Sequence, residues 1–155
     1  SSKIGSVPEL TDLNLNETLK INFDYLKKRI SSKVAMTLQL PNHGILLPHS
    51  RILMSWVIEN LVKNAVDAMK GKGNLDIILF QKNKNIIIEF KDNGCGMTTS
   101  QINNAFKPGF STKKRGWGLG LSLAKRVIKE YHSGDIKITY SEIGKGTTFR
   151  IILNS

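Results

Sequence analysis

The sequence predicts an α/β (α+β) two-layer sandwich, a mixed sheet of about five strands with three helices on one face. Three observations carry this expectation. Residues 50–69 and 119–131 have helical apolar spacing. Two pairs of β-rich runs, 75–80 with 85–91 and 136–140 with 147–153, are each joined by a short polar or glycine-rich turn. Strands and helices do not alternate strictly, as a doubly wound nucleotide fold would require.

Residues 1–10 (SSKIGSVPEL) are small, polar and proline-bearing, so residues 1–11 read as a linker or chain end and residues 12–155 as one domain. Leu19, Phe23, Leu26 and Ile30 recur at helical spacing over residues 16–30, with Asn14 or Asn16 as the cap. Val34, Met36, Leu38 and Leu40 alternate as a half-buried strand, and residues 41–48 make a turn-rich connection. The helix at 50–69 is closed by Gly71 and Gly73. Residues 92–120 form a long Gly, Thr, Ser and Lys-rich loop with one helical turn at 101–105. Leu119, Leu123, Val127 and Tyr131 form the apolar stripe of the late helix, and the closing hairpin turns over Gly144-Lys145-Gly146.

At 155 residues and 40% hydrophobic composition, the chain can bury about 70% of its unfolded surface, which excludes wholesale disorder. No run approaches the roughly 18 apolar residues of a membrane span, so direct membrane insertion is not expected. One cysteine permits neither an internal disulfide nor a cysteine-based zinc site, which fits a reducing, cytoplasmic setting. The 23 Lys and Arg exceed the 12 Asp and Glu by 11. Such a surplus would suit nucleic acid, but the cations are scattered over residues 27–29, 113–115 and 125–129 without an aromatic or zinc-finger pattern. Solvated helix faces and a polyphosphate site account for it better, and no nucleic-acid partner is expected.

Asn60 and Asn64 stand about 40° apart on a helical wheel, at the border between the polar arc of Ser55, Glu59, Lys63 and Asp67 and the core side. Two amides there can offer neutral oxygens to a hard cation such as Mg²⁺, or simply face water. Glu59 and Lys63 form an ordinary i,i+4 pair. Asp92-Asn93-Gly94-Cys95-Gly96-Met97 leaves a strand as a carboxylate followed by alternating glycines. It is either a plain turn or a place where a flat ring meets the backbone while Asp92 accepts its exocyclic amine. Cys95, with no histidine nearby in sequence, reads as a small packed residue rather than a nucleophile. Gly116-Trp117-Gly118-Leu119-Gly120 runs into a helix and makes an anion cradle, distinct in spacing from a P-loop or a dinucleotide fingerprint. Lys113, Lys114 and Arg115 just upstream could add charge to a γ-phosphate. Thr147 opens a strand from which it can reach a ring nitrogen, directly or through water.

In order and spacing, these segments resemble the GHKL nucleotide-binding family, most closely the ATP-binding catalytic domain of sensor histidine kinases. The resemblance spans roughly residues 12–154. I-E-N-L-V-K-N-A-V-D-A-M (58–69) is similar to the N box, and D-N-G-C-G-M (92–97) to the first glycine box. F-K-P-G-F-S-T-K (106–113) is similar to the F box, G-W-G-L-G-L (116–121) to the second glycine box, and G-K-G-T-T-F (144–149) to the third. The resemblance implies the Bergerat ATP-binding fold, with ATP and Mg²⁺ as cofactors. It implies that Asn60 and Asn64 hold the metal, that Asp92 binds the adenine amine with help from Thr147, and that Gly118, Leu119 and Gly120 meet phosphate. Asp67, Gly94, Gly96, Met97, Phe106, Gly116 and Leu121 complete the implied nucleotide site, and residues 106–117 would be its lid. Lys113 is the first choice for the phosphate-contacting cation and Arg115 the second.

Hydrolysing members of that family carry a Glu where this chain has Asn60, and an amide cannot act as that base. Phosphoryl transfer is therefore expected, with Asn60, Asn64 and Lys113 in the catalytic role and little or no ATP hydrolysis. The acceptor histidine of sensor kinases is typically followed by an acidic residue, a basic residue and Pro. His43, His49 and His132 precede Gly or Ser and read as turn, helix-entry and helix-exit residues. The resemblance thus implies a dimerisation and histidine-phosphotransfer domain of the same parent protein as partner and a response regulator indirectly. The chain alone is expected to be monomeric and inactive toward itself. Asp67 and the D-A-M ending resemble the nitrogen-regulation-type subgroup. Phe106, Phe110 and Trp117 either dock that partner or pack beneath the lid.

Overall fold

The computed structural model describes residues 10–109 and 120–154. Helix α1 (Leu15–Arg29) is capped by Asn14, whose side chain accepts from Glu17 N–H at 3.3 Å. Asn16 is thereby free to accept from Ile45 N–H and donate to His43 O, stapling the following loop to the helix. Helix α2 (Arg51–Ala68) is capped by Ser50, and its buried stripe runs through Met54, Val57, Ile58, Leu61, Val62 and Ala65. It closes where Gly71 N–H reaches back to Val66 O.

Among the described residues, seven strands form two sheets. Strands β1 (Thr11–Asn14) and β3 (Leu46–His49) make a two-stranded antiparallel ribbon, and the remaining five are ordered β2-β4-β5-β7-β6. Strand β2 (Val34–Gln39) runs parallel to β4 (Gly73–Lys82). Strands β4 and β5 (Asn85–Asp92), β5 and β7 (Gly146–Asn154), and β7 and β6 (Asp135–Glu142) pair antiparallel, so the sheet is mixed. One face supplies Leu75, Ile77, Leu79, Ile86, Ile88, Phe90, Ile136, Phe149, Ile151 and Leu153 to the core. Helices α1, α2 and α4 (Gly120–Arg126) join them there, and α3 (Thr99–Asn104) is a single short helix with a capping box at Thr98 and Gln101. On the other face Glu89 and Arg150 pair at directly opposed positions of β5 and β7.

Three expectations are corrected. Residues 41–48 contain most of β3 rather than only turns, and β1 starts at Thr11. In the late helix the buried residues are Ser122, Ala124 and Ile128, while Leu123 is exposed. The helix lies against α2, and small side chains let it approach; it then loosens into a π-helical turn at Val127–Tyr131. Cys95 is exposed rather than packed. Its neighbours Gly94 and Gly96 are the buried ones, so the residue between them faces outward. Among the described residues no helix is long and apolar enough to cross a membrane.

His49 and His132 are both buried at the start of α2. His132 Nε2 accepts from Ser50 N–H and its Nδ1 faces Val127 O at 3.0 Å, a pattern only the neutral ring satisfies. His49 is held likewise between Thr18 Oγ1 and Leu47 O. Burial lowers both pKa values, and each ring feels further positive charge or hydrogen bonding only secondarily. The unfolded rings therefore take up protons first, so stability is full above the ordinary value of 6.5 and is lost as pH falls below it. Thermal melts are expected to drop between pH 7.5 and 5.5, by up to about 1.4 kcal/mol per pH unit for each ring. His132→Asn should flatten that slope; an unchanged slope contradicts the assignment.

Candidate active site

The C-terminal end of β5 and the start of β7 lie side by side, with Asp92 opposite Thr147. Asp92 is 6% exposed, and its Oδ1 accepts from Gly94 N–H at 2.8 Å and from Thr147 N–H at 3.3 Å. Burial raises the carboxyl pKa, and those two N–H donors pull it back down. Both donors converge on one oxygen, Oδ1.

Tight glycine contacts surround this carboxylate. A side chain at Gly94 would meet the Ala68 backbone at the end of α2, and one at Gly146 would strike Asp92 O at 2.0 Å. Cys95 N–H donates to Ala68 O, so the loop is tied to the last turn of α2 and hence to the helix that carries Asn60, Asn64 and Asp67. Met97, half-buried, donates its N–H to Ser141 Oγ on β6. Ser141 Oγ also lies 2.8 Å from Thr147 Oγ1 and bonds Gly146 O. Ser141 thus links the first and third glycine segments. No motif marked it in the sequence; only the register that sets Ser141 opposite Thr147 reveals it.

Asn60 and Asn64 are half-buried on α2, and Asp67 is exposed one turn on. Asn60 Nδ2 donates to Trp56 O at 2.8 Å, which turns Oδ1 toward the N-terminus of α4. A Cβ at Gly120 would sit 2.9 Å from that oxygen, so glycine there keeps the amide face clear. Leu121, half-buried, packs on the core. Phe106 also packs: its ring meets Phe149 edge-on with centroids 6.1 Å apart, and Lys125 Nζ lies 4.5 Å above it. Lys113, Arg115, Gly116, Gly118 and Leu119 lie outside the described residues, as do Phe110 and Trp117. Among the described residues no group of three or more His, Cys, Asp and Glu could hold a metal ion. The neutral Oδ1 of Asn60, facing the start of α4, is of the donor type a hard cation accepts.

The structure thus brings together a buried carboxylate with one oxygen anchored, glycines packed against neighbouring backbone, and an amide of α2 facing the N-terminus of α4. The family model for histidine kinase-, DNA gyrase B- and HSP90-like ATPases matches residues 50–155. The chain is 39% identical over 97 residues to sporulation kinase C of Bacillus subtilis (strain 168), covering 63% of this chain and 22% of that protein. It is 36% identical over 125 residues to the signal transduction histidine-protein kinase AtoS of Escherichia coli (strain K12), covering 80% of this chain and 20% of that protein. The nucleotide-free catalytic domain of the histidine kinase ThkA superimposes with a TM-score of 0.84 at 24% identity, covering 95% of this chain and 96% of that one. The chain belongs to the histidine kinase-, DNA gyrase B- and HSP90-like ATPase family, as an ATP-binding catalytic domain of the two-component sensor histidine kinase type. It spans about a fifth of the length of the curated relatives it matches.

Proposed function

We propose that the chain binds Mg·ATP and passes the γ-phosphoryl group to a histidine on a separate dimerisation domain of the same parent protein, from which a response regulator takes it. The observation that carries this reading is Asp92, whose Oδ1 is fixed by Gly94 and Thr147 so that Oδ2 can accept an adenine amine. Thr147 assists at the ring, and Gly94, Gly96 and Met97 line the base. Asn60 and Asn64 hold Mg²⁺, which when bound neutralises charge on the phosphates. Gly118, Leu119 and Gly120 meet the phosphates, Gly116 and Leu121 complete that part of the site, and Lys113 or Arg115 adds a cation. The transition state of phosphoryl transfer is largely dissociative, so positioning and charge neutralisation are most of what the protein must do.

The resemblance to the nitrogen-regulation-type subgroup, carried by Asp67 in the D-A-M ending, supports placing the parent kinase there. The domain works in the cytoplasm, as a monomer, and does not label itself, because its histidines are committed elsewhere. His49 and His132 are buried in hydrogen bonds, and His43 sits in the loop that Asn16 staples.

Glu59, the nearest acid to the base position of hydrolysing relatives, pairs with Lys63 at 3.7 Å on the outer side of α2. ATP hydrolysis is therefore expected to be slow and unchanged in Glu59→Gln. A fluorescent ATP analogue should bind more tightly with Mg²⁺ than without, and acid-labile phosphate should appear only on an added dimerisation-domain fragment. Brisk hydrolysis that Glu59→Gln abolishes would replace this reading with that of an ATPase.

A further inference from the structure

We propose that the free edge of β2, with the groove beside it, docks an extended acidic segment of a partner polypeptide, which adds a sixth strand to the sheet. Strand β2 ends the order β2-β4-β5-β7-β6, so among the described residues one of its edges carries no neighbour in that sheet. Natural edge strands are usually protected by a charge, a proline or a bulge. Val34–Gln39 reads VAMTLQ and has neither charge nor proline, and its pairing with β4 is regular throughout. Lys33 O accepts from Gly73 N–H, so by alternation residues 35, 37 and 39 face β4 and residues 34, 36 and 38 face the open edge. Val34 N–H is taken by Ser31 O. The N–H and C=O groups of Met36 and Leu38 are the ones an added strand would meet.

Beside this edge lies an open cleft of about 550 Å³, lined by Lys27, Lys28, Ile30, Ser31, Ser32 and the first half of β2. Its apolar floor is Ile30, Val34 and Met36, suited to alternate side chains of an extended peptide. Its charge is of one sign. Residues 27–33 read KKRISSK, with four cations and no acid. Arg29 is turned away, stacked on Tyr25 and bonded to its carbonyl oxygen. Among the described residues, neither Lys27 nor Lys28 is paired with a carboxylate. An acidic strand complements this groove, whereas a second copy of a chain with net charge +11 is repelled from it.

The test uses the ¹⁵N-labelled chain and one synthetic probe, Glu-Glu-Glu-Asp followed by four Val-Thr repeats. Saturable amide shifts are expected along residues 27–39, with at least tenfold slower hydrogen exchange at Met36 and Leu38. Replacing the four acids of the probe by Gln and Asn should weaken binding at least tenfold. So should the Lys27→Glu/Lys28→Glu double variant, with its melting temperature unchanged. The proposal is overturned if millimolar probe does not bind, if the shifts fall elsewhere, or if the uncharged probe binds equally well. It is also overturned if Met36 and Leu38 are already protected in a concentration-dependent way, which would assign the edge to a second copy.

Discussion

Asp92→Asn is expected to fold as well as the parent chain and to bind a fluorescent ATP analogue at least tenfold, and up to about a hundredfold, more weakly. The loss comes from hydrogen-bond polarity. An Asn oxygen can keep the bonds from Gly94 N–H and Thr147 N–H, but the position of Oδ2 then becomes an NH₂ donor, which repels the adenine amine of the proposed function. Loss of a hydrogen bond to a charged group costs about 1.5–3 kcal/mol, and each 1.4 kcal/mol is a factor of about ten. Folding should not suffer. Burial raises the Asp92 pKa, so the native state favours the protonated carboxyl, and stability falls as pH rises from 3.8 through the raised value. The amide carries no such charge, so melting at pH 7 should be equal or higher. Thermal unfolding beside an equilibrium titration checks both halves, and an undiminished affinity would remove adenine from this position.

The second large effect concerns Gly96. Its φ is +74°, and a Cβ there would lie 2.0 Å from Glu142 O, a backbone atom that cannot swing aside. Gly96→Ala is expected to destabilise the chain by about 3 kcal/mol or more, because left-handed strain and a backbone collision add. Gly144 is the control: its φ is +81°, yet nothing lies within 4 Å of a Cβ there. Gly144→Ala should cost only about 1 kcal/mol. Denaturant midpoints of the two variants decide the matter; similar losses would show that the collision is relieved. Met97 and Ser141 sit beside this contact, so nucleotide affinity should fall along with stability in the Gly96 variant.

What could be read from sequence was whatever local chemistry specifies. Helical spacing sets Asn60 and Asn64 on the half-buried border of α2, and Asp92 ends β5 just ahead of its glycines, as the local pattern implies. The central helix and both hairpins are marked by strong periodicity and turn residues. The ribbon of β1 and β3 escaped because each strand has only four residues, and β3 contains Pro48. In the late helix only part of the apolar stripe turns inward: Val127 packs on the core, whereas Leu123 does not. Leu123 is large but exposed, while Ser122 and Ala124 are buried because small residues are what a close helix contact needs. Ser141 was invisible for a third reason: its role arises from cross-strand register, which no single segment contains.

Strand β7 follows β6 in the chain but separates it from β5 in the sheet. During synthesis on a ribosome, β6 therefore has no template until residues 146–154 have left the exit tunnel. The same event places Thr147 beside Asp92, so that carboxylate gains its second anchor only when the sheet closes. Nascent chains halted before that point should neither shield this edge nor retain nucleotide, which makes competence for ligand a late reporter of complete assembly.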